Sequence, residues 1–348
     1  MAALILTVFS MSVGLGTAIA FVSSHWIMAW MGLEISTMAI LPLMVQVKYP
    51  RAAEATTKYF IVQATATAVM IFAATFHAWV CGSWDIVDSS VLASKQIMFM
   101  ALCLKAGIAP FHTWFPEVMQ GLSLTTCLIL STWQKLAPMV LMQQIAPWID
   151  FSWIYLMAII SALVGGWGGL GQTQIRKVMS YSSISHMGWM ILVMKFLPEL
   201  TLLAFSLYMI TTATVFLNLK IGGVKSVNLL FVVWAKNPTL FVVLTLTILS
   251  LAGLPPLTGF MPKMLIMREV TGQGLPLVTV LMAVLTLLSL YFYLRLCYIA
   301  LMTTPPNTNS SKTPWRVSTN KENIALSVLV VLAVALMPVT PALLNWLF

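Results

Sequence analysis

Four ionisable side chains stand inside long apolar runs of this sequence: Glu34, Lys105, Lys135 and Lys263. On insertion scales each costs roughly 2.5 to 3.5 kcal/mol at the centre of a membrane helix, so together they oppose insertion by on the order of 10 kcal/mol. Side chains this costly face a bundle interior or a hydrated path. A lysine in low dielectric has its charged form disfavoured, and a nearby carboxylate favours it again. A glutamate and a lysine that approach and separate therefore switch a proton, and three lysines with polar residues between them could pass one along the membrane plane. His112 and His186 lie among other polar groups and could relay protons near neutral pH. Each has a plainer reading. Lys263 could snorkel to the interface from the end of its helix. Glu34 and Lys105 could form a purely structural ion pair, and a histidine in an apolar helix can be a hydrogen-bonded packing residue. His25 and His77 fall near predicted helix ends and are expected at the interface.

The elements that must hold these groups are interrupted. The segment Lys105 to Val118, Lys-Ala-Gly-Ile-Ala-Pro-Phe-His-Thr-Trp-Phe-Pro-Glu-Val, puts Pro110 inside an apolar span. Shifting the chain by 146 positions lays Ala106, Gly107, Pro110, Trp114 and Pro116 over Ala252, Gly253, Pro256, Phe260 and Pro262. The second break carries Pro255 and Pro256. Two broken segments at corresponding places in two halves point to a transporter-type site at the bilayer midplane. The lysines do not correspond: the first precedes its break and the second follows the final proline.

With 60% hydrophobic and 8% charged residues in 348, the chain has too little polar surface to cover a soluble globule. Apolar runs of about 20 residues recur to its last residue. They predict an all-α polytopic membrane protein of about eleven transmembrane helices, near 3–22, 25–46, 57–80, 96–117, 123–145, 151–169, 178–196, 199–219, a broken 238–269, 275–300 and 324–346. Alternating directions place Lys48, Arg51, Lys58, Arg176, Lys177, Lys220, Lys225, Lys236, Arg295, Lys312, Arg316 and Lys321 on one side, with the N-terminus. Only Lys95, Lys195 and Arg268 fall on the other, with Asp85, Asp88, Asp150, Glu199 and Glu269. The positive-inside rule makes the first side cytoplasmic or matrix-facing. Units of five helices, about 1–146 and 150–302, then insert with opposite orientation as inverted repeats. A polar loop at 303–323 and a C-terminal helix at 324–346 follow, all within one transmembrane domain, 1–348. The first apolar run lacks a basic leader and a convincing cleavage site, and is expected to be retained.

Other chemistries find little support. The net charge of +9 lies in short loops without a continuous basic stripe, which argues against nucleic acid. Cys81, Cys103, Cys127 and Cys297 show no paired spacing and read as buried free thiols. No histidine pair has metal-ligand spacing. Gly165-Gly166-Trp167-Gly168-Gly169-Leu170-Gly171 lacks the strand, lysine and hydroxyl of a phosphate loop, and predicts close helix packing and a turn. Neither an iron–sulfur cluster, a haem pair nor a dinucleotide fingerprint is visible.

Four phrases carry a family resemblance: Ser-Ser-His-Trp-Ile-Met-Ala-Trp-Met-Gly-Leu-Glu at 23–34, Ala-Thr-Thr-Lys-Tyr-Phe at 55–60, Pro-Phe-His-Thr-Trp-Phe-Pro-Glu-Val at 110–118 and Leu-Pro-Pro-Leu-Thr-Gly-Phe-Met-Pro-Lys at 254–263. Together, and in this order, they resemble the chain 2 family of vertebrate mitochondrial NADH-ubiquinone oxidoreductase, respiratory complex I. The resemblance implies an antiporter-like subunit of the membrane arm, translocating protons as quinone is reduced elsewhere. Carried over by position, Glu34 and Lys105 resemble the family's coupling pair, Lys135 its connecting lysine and Lys263 its terminal lysine, with His112 and His186 as polar-axis residues. It implies no cofactor on this chain, with NAD, FMN, iron–sulfur clusters and ubiquinone held by other subunits. Its expected partners are membrane-arm and accessory subunits and membrane lipids, cardiolipin a candidate, in the inner mitochondrial membrane. The N-terminus would face the matrix and the C-terminus the intermembrane space. Relative to fourteen-helix relatives the chain would lack three N-terminal helices, as the animal form does. A standalone cation/proton antiporter and a non-conducting scaffold, its charges only locking helices together, are the alternative readings.

Overall fold

The computed structural model describes residues 2–45, 49–87, 91–230, 238–302 and 322–339. Among these the chain is all-helical, with only two isolated bridges, His25 to Asp85 and Gln174 to Ser226. The helices are α1 (Ala2–Val22), α2 (Trp26–Val45), α3 (Pro50–Cys81), α4 (Leu92–Ala106), α5 (Trp114–Gly121), α6 (Leu124–Ser131), α7 (Trp133–Ile145), α8 (Phe151–Gly169), α9 (Ile175–Val193), α10 (Pro198–Gly222), α11 (Pro238–Ala252), α12 (Phe260–Gly272), α13 (Pro276–Met302) and α14 (Glu322–Ala335). Pro50, Pro198, Pro238 and Pro276 each open a helix, where the missing N–H is no loss. Among the described residues six helices are long and apolar enough to cross a bilayer unaided: α1, α2, α3, α8, α10 and α13. The predicted fourth and ninth spans are each built from two short helices, α4 with α5 and α11 with α12.

Four boundaries depart from the sequence reading: the third span begins at Pro50 instead of near 57, which takes Arg51 and Lys58 into a helix. The fourth span begins at Leu92, which draws Lys95 into a helix. The fifth, expected as one run over 123–145, divides at Thr132 between α6 and α7. There the Thr132 backbone N–H and hydroxyl both donate to the Leu128 carbonyl, at 3.0 and 2.7 Å. A hydroxyl competing for a helix carbonyl leaves hydropathy unchanged, so an apolar-run criterion passes over it. The C-terminal helix expected over 324–346 is described as α14 followed by a short 3-10 turn, Met337–Val339. Positions 340–346 lie outside the described residues, as do 303–321 of the expected polar loop and the loop charges Lys48, Asp88 and Lys236.

By contacts the chain divides into two units, Met1–Ser161 and Ala162–Phe348. In the first, α1 and α2 touch backbone to backbone: a Cβ on Gly16 would lie 2.7 Å from the Gly32 carbonyl oxygen. That approach fixes the part of α2 carrying Glu34. Helix α3 packs against α2, α4 and α5, and α7 against α4, α1 and α2. In the second unit α10 packs against α9, α11, α12 and α14, while α13 covers α9, α11 and α12. The glycine run forms the tight helix contacts its composition predicts. A Cβ on Gly165 would meet the Ser185 amide nitrogen at 2.6 Å, and one on Gly169 the Phe292 ring at 2.7 Å.

Candidate functional site: two broken helices and their lysines

The two breaks share one backbone. Helix α4 ends at Gly107, left-handed with φ 72°, with Gly107 N–H donating to the Leu104 carbonyl at 3.3 Å and Ile108 N–H to the Cys103 carbonyl at 3.0 Å. Helix α11 ends at Gly253, φ 83°, with Gly253 N–H donating to Ser250 at 3.0 Å and Leu254 N–H to Leu249 at 3.4 Å. This is the glycine-terminated helix ending, in which positive φ turns the chain back over the last carbonyls. The turns that follow also correspond, with Phe111 bonded to Ile108 and Leu257 to Leu254, both at 2.9 Å. Every one of these pairs is offset by the same 146 positions. Pro110, Pro255 and Pro256 lie exposed in the two turns, where a residue without an N–H cannot extend the helix.

A helix that stops mid-span frees carbonyls, and each break satisfies them differently. In the first unit the Trp114 indole donates to the Leu104 carbonyl at 3.2 Å and the Gln63 amide to the Lys105 carbonyl at 3.3 Å. The Lys105 side chain is thereby left out of the repair: it is 5% exposed, and its Nζ has no hydrogen-bond partner among the described residues. In the second unit the repair is made by a lysine. Lys263 Nζ donates to the Ala252 carbonyl at 2.9 Å.

Lys105 and Lys135 line one cavity of the first unit with Tyr59, Gln63, Gln134 and Phe115. It encloses about 10 Å3, the room of a single water. The Lys135 ammonium stands 4.5 Å from the Phe115 ring centroid, a cation–π contact in a site where the residue is 2% exposed. The Gln134 amide donates to the Ser36 carbonyl at 3.3 Å, tying α7 to α2. Glu34, half-buried on α2, acts on Lys105 through space without reaching ion-pair distance. Its Oε2 is buried with no hydrogen-bond partner among the described residues. His112 sits within the break, Nδ1 3.3 Å from the Pro110 carbonyl, and is not among the residues lining the cavity. In the second unit Lys263 and His186 share a pocket with Ser185, Trp189, Thr286 and Ser289. The His186 ring lies 5.5 Å from that of Tyr208.

The structure thus brings Lys105 together with Lys135, and Lys263 with His186, while Glu34 stands off from Lys105 and His112 from both lysines of its unit. Tyr59, Gln63 and Gln134 were not anticipated at the site; a glutamine inside an apolar helix was the available signal. Two assignments are corrected. His77, expected at the interface, is fully buried on α3, its Nδ1 3.0 Å from the Ser94 hydroxyl. Lys95, assigned to a loop, is 1% exposed with Nζ 4.6 Å from the Trp148 ring centroid. The early start of α4 accounts for both, because it carries Ser94 to His77 of α3 and Lys95 to the Trp148 ring.

Paired discontinuous helices with buried lysines in an all-helical membrane chain define the antiporter-like class. Residues 23–289 match the family model described as NADH:quinone oxidoreductase/Mrp antiporter, and 290–344 match that of the NADH dehydrogenase subunit 2 C-terminus. The chain is 54% identical over 338 residues to NADH-ubiquinone oxidoreductase chain 2 of Salmo salar, covering 97% of each. Its fold is similar to a chain of respiratory complex I from Thermus thermophilus, with TM-score 0.85 and 26% identity over 95% of this chain and 77% of that one. It is equally similar, at TM-score 0.85 and 17% identity, to a chain of the Mrp complex from Dietzia, over 97% and 76% of the two chains. The chain belongs to the NADH-ubiquinone oxidoreductase chain 2 family.

Proposed function

We propose that this chain is the proton-translocating, antiporter-like membrane subunit of a respiratory complex I, in which Lys105, Lys135 and Lys263 carry protons and Glu34 controls Lys105. The observation that carries the reading is the cavity holding Lys105 and Lys135 in one wall with Tyr59 and Gln63. A water there would join two ammonium groups that are otherwise shut in. Movement of Glu34 toward Lys105 holds a proton on the amine by charge attraction, and withdrawal frees it toward Lys135. Lys263, anchored on the Ala252 carbonyl, must leave that bond to pass a proton on, and His186 stands in the same pocket to exchange with it. Electron transfer, with its nicotinamide, flavin, iron–sulfur and quinone groups, belongs to other subunits of the enzyme.

The relatives' names support complex I subunits as partners and the inner mitochondrial membrane as the location, with the N-terminus on the matrix side by the loop charges. Membrane lipids, cardiolipin among them, cover the outer helix faces. The test is Lys135→Met in the assembled complex. Proton translocation falls while the subunit remains incorporated; full translocation per quinone reduced would leave the scaffold reading in its place.

A further inference from the structure

The second break is joined to a helix for which the first break has no counterpart. The Ser250 hydroxyl, on the last turn of α11, donates to the Ala333 carbonyl of α14 at 2.8 Å. The Thr258 hydroxyl, in the turn after the break, donates to the same oxygen. The two hydroxyls lie 3.2 Å apart, and all three residues are fully buried. Hydroxyls in an apolar helix commonly turn back on carbonyls of their own helix, as Thr245 and Thr247 of α11 do to Val242 and Leu244, at 2.9 Å each. Ser250 and Thr258 instead reach 83 and 75 positions along the chain.

Both sides of this clasp have a cause in the backbone. Helix α14 stops at Ala335, because Pro338 lacks the N–H that the Val334 carbonyl would accept and its ring crowds that carbonyl. Its 14 residues make it about 21 Å long, short of the roughly 30 Å of a bilayer's hydrocarbon. Ala333 stands in its last turn, where carbonyls run out of helical partners. Thr258 is brought over Ser250 by Gly259, which lies so close to α11 that a Cβ there would be 1.8 Å from the Ser250 carbonyl oxygen. The corresponding positions of the first break, 146 earlier, hold Leu104 and His112. There the Trp114 indole ties the two arms by donating to the Leu104 carbonyl. Phe260, in the place of Trp114, has no N–H to give.

Ser250 stands two residues before Ala252, whose carbonyl holds Lys263, and Thr258 stands five before Lys263 itself. One carbonyl oxygen of α14 therefore joins the arm carrying the acceptor to the arm carrying the amine. We propose that α14 braces the second break, with Ser250 and Thr258 as positioning residues for Lys263. By clasping the Ala333 carbonyl they fix the gap between the Ala252 carbonyl and α12, so that only the lysine side chain swings off its tether and back. Only hydrogen bonds change partners in that motion. Without the clasp the two arms separate, and the amine loses the fixed acceptor to which it returns.

The proposal rests on proton carriage by Lys263, and its test separates the two. In the assembled complex, Thr258→Val keeps the side chain's volume and loses the hydroxyl, while Thr258→Ser keeps the hydroxyl. Thr258→Val combined with Ser250→Ala lowers protons moved per quinone reduced by about twofold or more at normal subunit incorporation, since two buried hydrogen bonds are lost. Thr258→Ser keeps the wild-type ratio, and so does Thr247→Val, which removes an equally buried hydroxyl bonded within α11. Should the double variant fail to assemble, Thr258→Val alone carries the same expectation. Full translocation without the hydroxyls, or an equal loss in Thr258→Ser or Thr247→Val, overturns the brace and leaves Lys263 as a carrier. Full translocation by Lys263→Met overturns both.

Discussion

The break after α4 and the break after α11 are one backbone with two different repairs. Both end on a left-handed glycine, make the same pair of closing hydrogen bonds and resume as a helix at the corresponding residue, Trp114 or Phe260. In the first, an indole and a glutamine satisfy the freed carbonyls, and Lys105 is released into a cavity beside Lys135. In the second, Lys263 supplies the missing donor itself. The comparison teaches that the break and the charge are separable: the backbone supplies a polar interruption within an apolar span, and the surrounding donors decide whether a lysine is tethered or free.

The largest difference to look for is at Lys263. Lys263→Met removes both a proton carrier and the donor to the Ala252 carbonyl, so translocation falls and the assembled complex loses about 1–3 kcal/mol of stability. A thermal-shift series beside a pumping assay reads both. Next come the glycines. Gly107→Ala and Gly253→Ala each force a left-handed alanine, at about 1–2 kcal/mol. The methyl meets different neighbours, Trp114 and Phe115 at 3.3 Å in the first break but Lys263 Nζ at 3.0 Å in the second. Equal stability losses with translocation reduced further by Gly253→Ala sharpen the comparison; clearly unequal stability losses break the claim of a shared backbone. The smallest effect belongs to Lys58→Gln. Lys58 joins Glu54 and Glu117 at 2.9 Å each, but all three side chains are at least 43% exposed, and such pairs contribute less than about 1 kcal/mol. Thermal unfolding of the complex should barely move.

Much of this was legible because its cause is local. Apolar length gave the spans, and Gly107, Pro110, Gly253 and Pro256 marked both interruptions because no other residue types stop a helix as firmly. The four charges inside apolar runs stood out because lipid makes them expensive. What stayed hidden depends on packing between helices. Thr132 divides α6 from α7 through a hydroxyl-to-carbonyl bond that hydropathy does not register. His77 reads as interfacial and Lys95 as a loop residue until Ser94 and the Trp148 ring meet them. The tether on Lys263 and the freedom of Lys105 follow from Gln63 and Trp114, which lie 42 and 10 positions from their carbonyl partners. No spacing rule connects Gln63 with its break.

The most direct test of the account is the number of protons translocated per quinone reduced by a complex carrying Lys105→Met. A methionine fills the lysine's volume, satisfies the apolar wall of the cavity and disturbs none of the carbonyl repairs, so the complex assembles. Loss of protons per quinone at normal subunit incorporation is the predicted result. An unchanged ratio would contradict a free, proton-carrying Lys105 and leave the first break as packing alone.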